Sequence, residues 1–194
     1  MLYGAQTARR RDAQRNRAAL IEAASEVMTS QDAVVSMPAI ARRAGVSQAT
    51  LYRHFPDRAA VAAAVVGFQI ERLDAFAAAN MHRPDAFRDM LREVLHTLVV
   101  MRPLVLLVRR LHPSIRERYQ QRILASLTGP LRRAQDQGRV RRDLVADDVV
   151  LLLTMVHSVA EADDDIGAAH TAADRSIDLL LDGVFPARSA LPAG

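Results

Sequence analysis

Five polar side chains that can hydrogen-bond to nucleic acid fall close together in the N-terminal third of the sequence. They are Gln48, Thr50, Tyr52, Arg53 and His54. A glutamine can pair through its side-chain amide with the edge of an adenine in the major groove. Hydroxyl, guanidinium and imidazole groups suit contacts to DNA phosphates. The segment therefore predicts a DNA-reading surface, provided that one helix presents these side chains together.

A helix-turn-helix pattern surrounds this segment and spans residues 36–58. Apolar residues at helical spacing stand on either side of a glycine, namely Ile40, Ala41, Ala44, Leu51, Tyr52 and Phe55. Gly45 can supply the positive φ that a tight turn requires, and Ser47 is placed to cap the second helix. In DNA-binding proteins this second helix enters the major groove. Two helices joined by a glycine turn also occur in ordinary bundles, so the pattern alone leaves a structural role open.

The order of residues in this pattern resembles the TetR family of transcriptional regulators. The matching residues are Ile40-Ala41-x-x-Ala44-Gly45-Val46-Ser47 and Thr50-Leu51-Tyr52-x-His54-Phe55-x-x-Arg58. The resemblance implies base contact by Gln48. It also implies phosphate contacts by Thr50, Tyr52, His54 and Arg58. Ser36, Ser47 and Arg53 complete the predicted DNA-binding set. Two positions depart from the family pattern: some relatives have a base-reading side chain where Pro38 stands, and lysine is commoner at the position of Arg58.

Positive charge is concentrated in the same part of the sequence. Residues 1–58 contain nine arginines and five acidic residues, whereas residues 59–194 contain seventeen of each. The net charge of +4 therefore lies entirely beside the helix-turn-helix pattern, as expected if only this end meets a polyanion. A solvated basic face without a partner is the alternative interpretation of the charge alone.

The densest basic run precedes the first long helix, which is predicted from about Asp12 to Ser30. We expect residues 1–11, with Arg9, Arg10 and Arg11, to form a flexible arm. Such an arm can contact phosphates or enter a minor groove. A disordered tail without DNA contact is equally compatible with the sequence.

The rest of the chain shows helical periodicity, with proline and glycine at its breaks. Pro103 and Pro113 are placed to open helices, and Gly138 is placed to end one. No segment shows the alternation expected of a strand. The sequence predicts an all-α protein of about nine helices, with a DNA-binding domain over residues 1–58 and an effector-binding and dimerisation domain over residues 59–194.

Two helices near the C-terminus, predicted over residues 147–160 and 171–185, are apolar on more than one face. Such helices need partners on two sides, so one side can pack within the chain and the other against a second subunit. The TetR resemblance implies the same homodimer. A core formed entirely within one chain remains the alternative. We interpret the acidic run from Asp163 to Asp165 as a solvated loop.

Apolar residues in the middle of the predicted second domain could line a cavity for a small, largely apolar effector. The candidates are Met101, Leu104, Val108, Leu127 and Met155, with the polar His157 set among them. At this spacing such residues are more typical of a plain core. The preferred hypothesis is a ligand-responsive repressor that binds a palindromic operator in double-stranded DNA as a homodimer. A TetR-type activator, an effector-independent regulator and a sequence-nonspecific DNA-binding protein remain alternatives.

Other functions find little support in the sequence. It has no glycine-rich phosphate-binding or dinucleotide-binding motif, and its six histidines lack metal-binding spacing. His157 and Ser158 are adjacent in a predicted helix and point in different directions, so they cannot act as base and nucleophile. Without cysteine, disulfides and thiolate metal sites are excluded. We expect no enzymatic activity, no cofactor and no metal. No apolar run reaches the length of a membrane span, and we expect a cytoplasmic protein.

Overall fold

The computed structural model describes residues 2–29, 35–162 and 165–185. Within these ranges the chain forms α-helices without any strand, which confirms the predicted all-α class. None of the described helices is long and apolar enough to cross a bilayer. The nine helices of these ranges are α1 (Leu2–Thr29), α2 (Met37–Arg43), α3 (Gln48–His54), α4 (Arg58–Ala79), α5 (Ala86–Val100), α6 (Arg102–Arg109), α7 (Pro113–Asp136), α8 (Ala146–Ala160) and α9 (Ile166–Val184).

Helix α1 begins well before the predicted residue. Its backbone is helical from Leu2, so the prediction of an arm outside the first helix is wrong for residues 2–11. The segment contains no proline and includes alanine, arginine and glutamine, which favour the helix. Further along, Leu20, Ala24 and Met28 form the buried stripe of α1.

Proline and glycine mark helix boundaries as predicted. Pro103 is the second residue of α6 and Pro113 is the first residue of α7, where a missing N–H costs no intrahelical hydrogen bond. Gly138 follows the end of α7 with a φ of +66°. These positions are set by local chemistry, so the sequence predicts them to within one or two residues.

Helix α9 starts at Ile166, five residues before the predicted Thr171. A carboxylate oxygen of Asp165, Oδ1, accepts hydrogen bonds from the backbone N–H groups of Gly167 at 2.8 Å and Ala168 at 3.3 Å. This N-cap satisfies amides that have no partner inside the helix. Asp165 therefore begins a helix, where the sequence analysis placed a solvated loop.

The chain divides into two compact units. The first unit contains Met1–Gln69 and Met101–Pro113, and the second contains Ile70–Val100 and Ser114–Gly194. The predicted domain boundary after Arg58 differs from this division, because α6 and the first half of α4 belong with the helix-turn-helix. The reason is burial, because the apolar stripe of α4 continues past the helix-turn-helix. Val61 and Val65, in the first half of α4, are almost completely inaccessible to solvent.

This division separates charge more sharply than the predicted one. In the sequence, the first unit holds twelve arginines and five acidic residues, and the second holds fourteen arginines and seventeen acidic residues. The formal net charges are therefore +7 and −3. The difference arises because the segment Met101–Pro113, which contains α6, brings Arg102, Arg109 and Arg110 to the first unit without any acidic residue.

The second unit has an apolar core shared by the end of α4 and by α5, α7, α8 and α9, with Phe87 of α5 fully buried in it. Two ion pairs one helical turn apart join α5 to α9. Arg88 lies 3.0 Å from Asp182, and Arg92 lies 2.8 Å from Asp178. Exposed ion pairs contribute little free energy to folding. We therefore expect these pairs to help set the register between α5 and α9, while the apolar core supplies most of the stability.

Candidate DNA-binding surface

Helix α2 opens the helix-turn-helix with a capped first turn. Ser36 Oγ accepts a hydrogen bond from the backbone N–H of Ala39 at 3.4 Å. Pro38 fits within this turn because its position needs no N–H donor. Ile40 is fully buried and fixes the inner face of the helix. The hydroxyl of Ser36 thus has a structural role, and its contact to DNA stays a prediction.

The turn between α2 and α3 depends on Gly45, whose φ is +67°. The N–H groups of Gly45 and Val46 donate back to the carbonyls of Arg42 at 3.2 Å and Ala41 at 3.0 Å. This is the Schellman arrangement, in which a left-handed residue ends the helix. A Cβ on Gly45 would meet no atom within 4 Å, so the backbone angle, and not the lack of space, requires glycine. The role predicted for Gly45 is confirmed.

Helix α3 is fixed at its start by a cap and on its inner side by burial. Ser47 Oγ accepts a hydrogen bond from the backbone N–H of Thr50 at 3.2 Å and lies 3.0 Å from Thr50 Oγ1. Leu51 is fully buried, and Phe55, which directly follows the helix, is nearly so. The predicted cap is confirmed. Ser47 therefore has a positioning role, and its contact to DNA stays a prediction.

The outer side of α3 presents the polar residues singled out from the sequence. Gln48, Tyr52 and Arg53 are exposed, whereas Thr50 and His54 are half-buried. The four-residue spacing places Gln48 beside Tyr52 and Thr50 beside His54 on the helix surface. The structure therefore brings all five candidates together on two turns of one helix, with the amide of Gln48 at the N-terminal end.

The start of α4 adds a cationic position next to α3. Asp57 Oδ1 accepts a hydrogen bond from the backbone N–H of Ala60 at 2.7 Å, so Asp57 caps α4. Arg58 is the first residue of the helix and is exposed. A helix N-terminus carries a partial positive charge that favours phosphate. Because Asp57 already occupies one of the free N–H groups, Arg58 is the stronger phosphate-binding candidate at this end.

Two contacts of α1 support the motif, and the sequence analysis did not predict them. The guanidinium of Arg17 lies over the ring of Phe55, 5.3 Å from its centroid. Glu26 Oε2 accepts a hydrogen bond from Arg43 Nε at 2.5 Å. Helix α1 thus contacts the end of α3 and the end of α2. The partners are far apart in the sequence, and no local pattern indicates such pairs.

The six residues predicted to line an effector pocket are divided between the two units. In the first unit, Met101 and Leu104 are buried and Val108 is half-buried. The other three belong to the second unit: Leu127 is buried, Met155 is exposed, and His157 is half-buried with its Nε2 3.2 Å from Glu161 Oε2. The structure does not gather them within one unit, and the pocket stays a prediction.

A groove of about 520 Å³ occurs on the second unit, at a place that the sequence analysis did not predict. Its lining residues are Arg141, Asp143, Leu144, Asp148, Leu152, Leu179, Leu180, Gly183 and Val184. The hydrogen bond from Arg141 lowers the pKa of Asp143, so this carboxylate stays ionised at neutral pH. The lining thus combines apolar side chains of α8 and α9 with the charged side chains of Arg141, Asp143 and Asp148.

Helices α8 and α9 expose large apolar side chains. Leu151 and Met155 of α8 are 61% and 52% exposed, and Leu179 of α9 is 56% exposed. Leu180, its neighbour, is half-buried and packs against the core of the second unit. The exposed apolar face lies on the two helices for which the sequence predicted a subunit interface.

The predicted acidic run lies partly outside the described residues, since Asp163 and Asp164 are not among them. Within the described ranges, no group of three histidine, cysteine or acidic residues is arranged to hold a metal ion.

Two family models match the chain. The model of the bacterial regulatory proteins of the tetR family matches residues 20–65, which include α2 and α3. The model described as the C-terminal domain of SbtR-like transcriptional regulators matches residues 83–186, more than half of the chain. No curated protein shows a significant match to the sequence.

Several solved structures share the fold. A TetR transcription regulatory protein from Mycobacterium vanbaalenii is 27% identical, with a TM-score of 0.66 over 91% of this chain and 98% of that one. The TetR transcriptional regulator SCO0520 from Streptomyces coelicolor is 26% identical, with a TM-score of 0.67 over 88% and 98%. NalD from Pseudomonas aeruginosa, at 16% identity and a TM-score of 0.52 over 92% and 100%, shows the fold alone.

Proposed function

Because the chain belongs to the TetR family of bacterial regulatory proteins, we propose that it is a ligand-responsive repressor that binds a palindromic operator as a homodimer. DNA-binding transcriptional regulation is the general activity of the family, and the finer statement is the proposal. The observation that carries it is the exposed polar side of α3, held by the Gly45 turn and the Ser47 cap in a unit of net charge +7.

In this proposal Gln48 reads a base, while Thr50, Tyr52, His54 and Arg58 contact phosphates. The exposed position of Gln48 at the start of α3 supports the first role, because the N-terminal residues of a recognition helix reach the base edges. Arg58 is exposed, and no acidic side chain within the described ranges forms an ion pair with it. Such an arginine is available to replace a counterion on DNA.

The homodimer is supported by the apolar side chains that α8 and α9 leave in solvent. A single helix-turn-helix reads few base pairs, whereas a two-fold dimer presents two recognition helices about 34–36 Å apart, in successive major grooves. Leu151, Met155 and Leu179 form an apolar face that a second copy could cover. The proposed dimer therefore accounts both for this face and for a palindromic operator.

A small, largely apolar effector is the remaining part of the proposal. A ligand that binds one arrangement of the dimer better than another shifts the population and so releases the operator. The six pocket candidates support only an apolar character for this ligand, since most of them are aliphatic or thioether side chains. No enzymatic activity is part of the proposal, and a regulator acting on DNA is expected in the cytoplasm.

A reporter experiment tests the sign of regulation. An operator is first selected from random duplex DNA by binding to the chain. This operator is then placed between a promoter and a reporter gene, and the chain is expressed in the same bacterial cells. We expect reporter output to fall, and to fall less with the Gln48→Ala variant. A rise in output would indicate an activator. A fall that is independent of the operator sequence would favour sequence-nonspecific DNA binding.

A further inference from the structure

Helix α1 places one cationic side chain beside the end of the helix-turn-helix. The guanidinium carbon of Arg17, Cζ, lies 5.3 Å from the centroid of the Phe55 ring, which directly follows α3. Phe55 is only 3% exposed, whereas Arg17 is exposed. The guanidinium therefore covers the ring from its solvent side. This is a cation–π contact, in which the face of the guanidinium is held against the ring.

The stacked guanidinium keeps its hydrogen-bonding edge available. Its five N–H donors lie in the plane of the group, so a ring against its face does not use them. Among the residues that the structure describes, no acidic side chain forms an ion pair with Arg17. The positions of α1 three and four residues away on either side also hold no charged residue. The contact with Phe55 thus holds the cation in place without neutralising it.

The position of this cation suits the DNA backbone. The imidazole of His54, a predicted phosphate contact, also lies beside Phe55, with 6.4 Å between the two ring centroids. Because the distances of 5.3 and 6.4 Å meet at the Phe55 centroid, the guanidinium of Arg17 lies within about 12 Å of the His54 ring. A DNA strand carries a phosphate about every 3.4 Å along its axis. If His54 contacts one phosphate, a neighbouring phosphate can therefore lie within reach of Arg17.

We propose that Arg17 is a further phosphate contact of the DNA-binding surface, supplied by α1 and held in position by the ring of Phe55. The inference rests on the proposed binding of DNA through α3. Arg17 lies outside the helix-turn-helix pattern of residues 36–58, from which the other contacts were predicted. Stacking fixes the guanidinium before DNA is bound, so fewer side-chain conformations are lost on binding. The planar group can then form two parallel hydrogen bonds to a phosphate.

The test measures the affinity of the full chain for a random-sequence duplex and for the selected operator at a series of salt concentrations. A phosphate contact releases about one counterion, so we expect Arg17→Ala to reduce the salt slope of log K by about one per bound chain on both duplexes. Between about 50 and 200 mM salt, the affinity advantage of the wild type over this variant should fall by about three- to fourfold per chain. An arginine that only stabilised the packing of Phe55 would leave the slope unchanged.

The Arg17→Lys variant separates charge from stacking. Lysine keeps the charge, so this variant should keep the wild-type slope. Its point charge stacks less well and cannot form two parallel hydrogen bonds, so we expect its affinity to lie about two- to tenfold below that of the wild type, the value of one hydrogen bond. A slope as low as that of Arg17→Ala would contradict a phosphate contact. An affinity equal to that of the wild type would contradict the role assigned to the Phe55 ring.

Arg43 offers a matched control in the same unit. It is also an exposed arginine in contact with α1, but its Nε donates a hydrogen bond to Oε2 of Glu26 at 2.5 Å. Because this guanidinium is already paired with an anion, Arg43→Ala should keep the wild-type slope.

Two results would overturn the inference and leave the proposed function standing. Either Arg17→Ala keeps the wild-type slope, or Arg43→Ala lowers the slope as much as Arg17→Ala does. A wild-type chain that binds no duplex would instead overturn the proposed function and, with it, this inference. Binding without any sequence preference would remove the palindromic operator, but the slopes on the random duplex would still decide whether Arg17 contacts a phosphate.

Discussion

Gln48 is the first residue of α3, and its side chain is exposed beside Tyr52. If it pairs with an adenine edge, the Gln48→Ala variant should lose about 1–3 kcal/mol of binding free energy on the selected operator. The loss should be smaller on operators that carry another base at the contacted position. Anisotropy titrations against a set of single-base variants measure both effects. An equal loss of affinity on every sequence would indicate that Gln48 contacts the DNA backbone and not a base. Gln121→Ala, an exposed glutamine of α7, is the control.

Arg58 should behave differently, because a phosphate contact carries no sequence information. We expect Arg58→Ala to weaken binding to all duplexes by a similar factor and to reduce the salt slope of log K by about one. The measurement is a series of titrations at increasing salt. An unchanged slope would remove Arg58 from the phosphate contacts. Arg132→Ala, at an exposed arginine of α7, should leave both affinity and slope unchanged.

At the scale of single residues, the sequence predicts the roles that depend on neighbours along the chain. Gly45 in the turn and the caps by Ser47 and Asp57 are of this kind, because a turn or a cap involves residues at most a few positions apart. The hydrogen bond from Gln69 Nε2 of α4 to Ser25 Oγ of α1 could not be predicted in this way. Its partners are 44 residues apart, and only the packing of α4 on α1 brings them together.

At the scale of elements, the turn between α2 and α3 can be tested with two glycines. Gly45 has a φ of +67°, whereas Gly67 lies inside α4, and neither has an atom within 4 Å of a Cβ. Alanine at position 45 must adopt a left-handed conformation, so we expect Gly45→Ala to cost about 1–2 kcal/mol of unfolding free energy. Gly67→Ala should instead stabilise by about 0.5–1 kcal/mol.

Chemical denaturation of both glycine variants measures these changes, and operator titration shows their effect on function. Gly45→Ala should also weaken operator binding, because the turn sets the angle between α2 and α3. If both variants had the same stability, the turn would not depend on the backbone angle of Gly45. The claim that a positive φ requires glycine at this position would then be wrong.

The helix boundaries show why some elements were predictable. Pro113 and Gly138 bracket α7 because proline lacks a donor and glycine accepts a positive φ. The predicted starts of α1 and α9 were wrong for a related reason. The basic run before Asp12 reads as solvated chain, and Asp165 reads as part of an acidic loop, although each is compatible with a helix. Polar composition alone does not distinguish an exposed helix from a loop.

At the scale of the whole molecule, the proposed dimer rests on the exposed apolar face of α8 and α9. Leu179→Arg places a charge in this proposed interface, and burial of an unpaired charge is costly. We expect this variant to sediment as a folded monomer with much weaker operator binding. Met81→Arg is the control, since Met81 is also exposed in the second unit but lies outside α8 and α9. A Leu179→Arg variant that remains dimeric would place the interface elsewhere.

The large-scale organisation was only partly predictable. Excess positive charge beside the helix-turn-helix was visible in the sequence, and it rises from +4 to +7 when Met101–Pro113, the segment that contains α6, is included in the first unit. The sequence cannot show that α6 belongs there, because this requires packing across more than thirty residues of intervening chain. It also cannot distinguish Leu179 from Leu180, since both lie in one apolar run and only the packed core shows which one is exposed.

The most direct test of the central claim is a selection from random duplex DNA at physiological salt, followed by anisotropy titration of the recovered sequences. A homodimeric sequence-specific regulator should recover a palindrome whose half-sites lie about 34–36 Å apart, or a multiple of one helical turn, with two chains bound per duplex. Its affinity should exceed that for random DNA by about a thousandfold or more. Recovery of no motif, with similar affinity for every duplex and a steep salt dependence, would contradict the account.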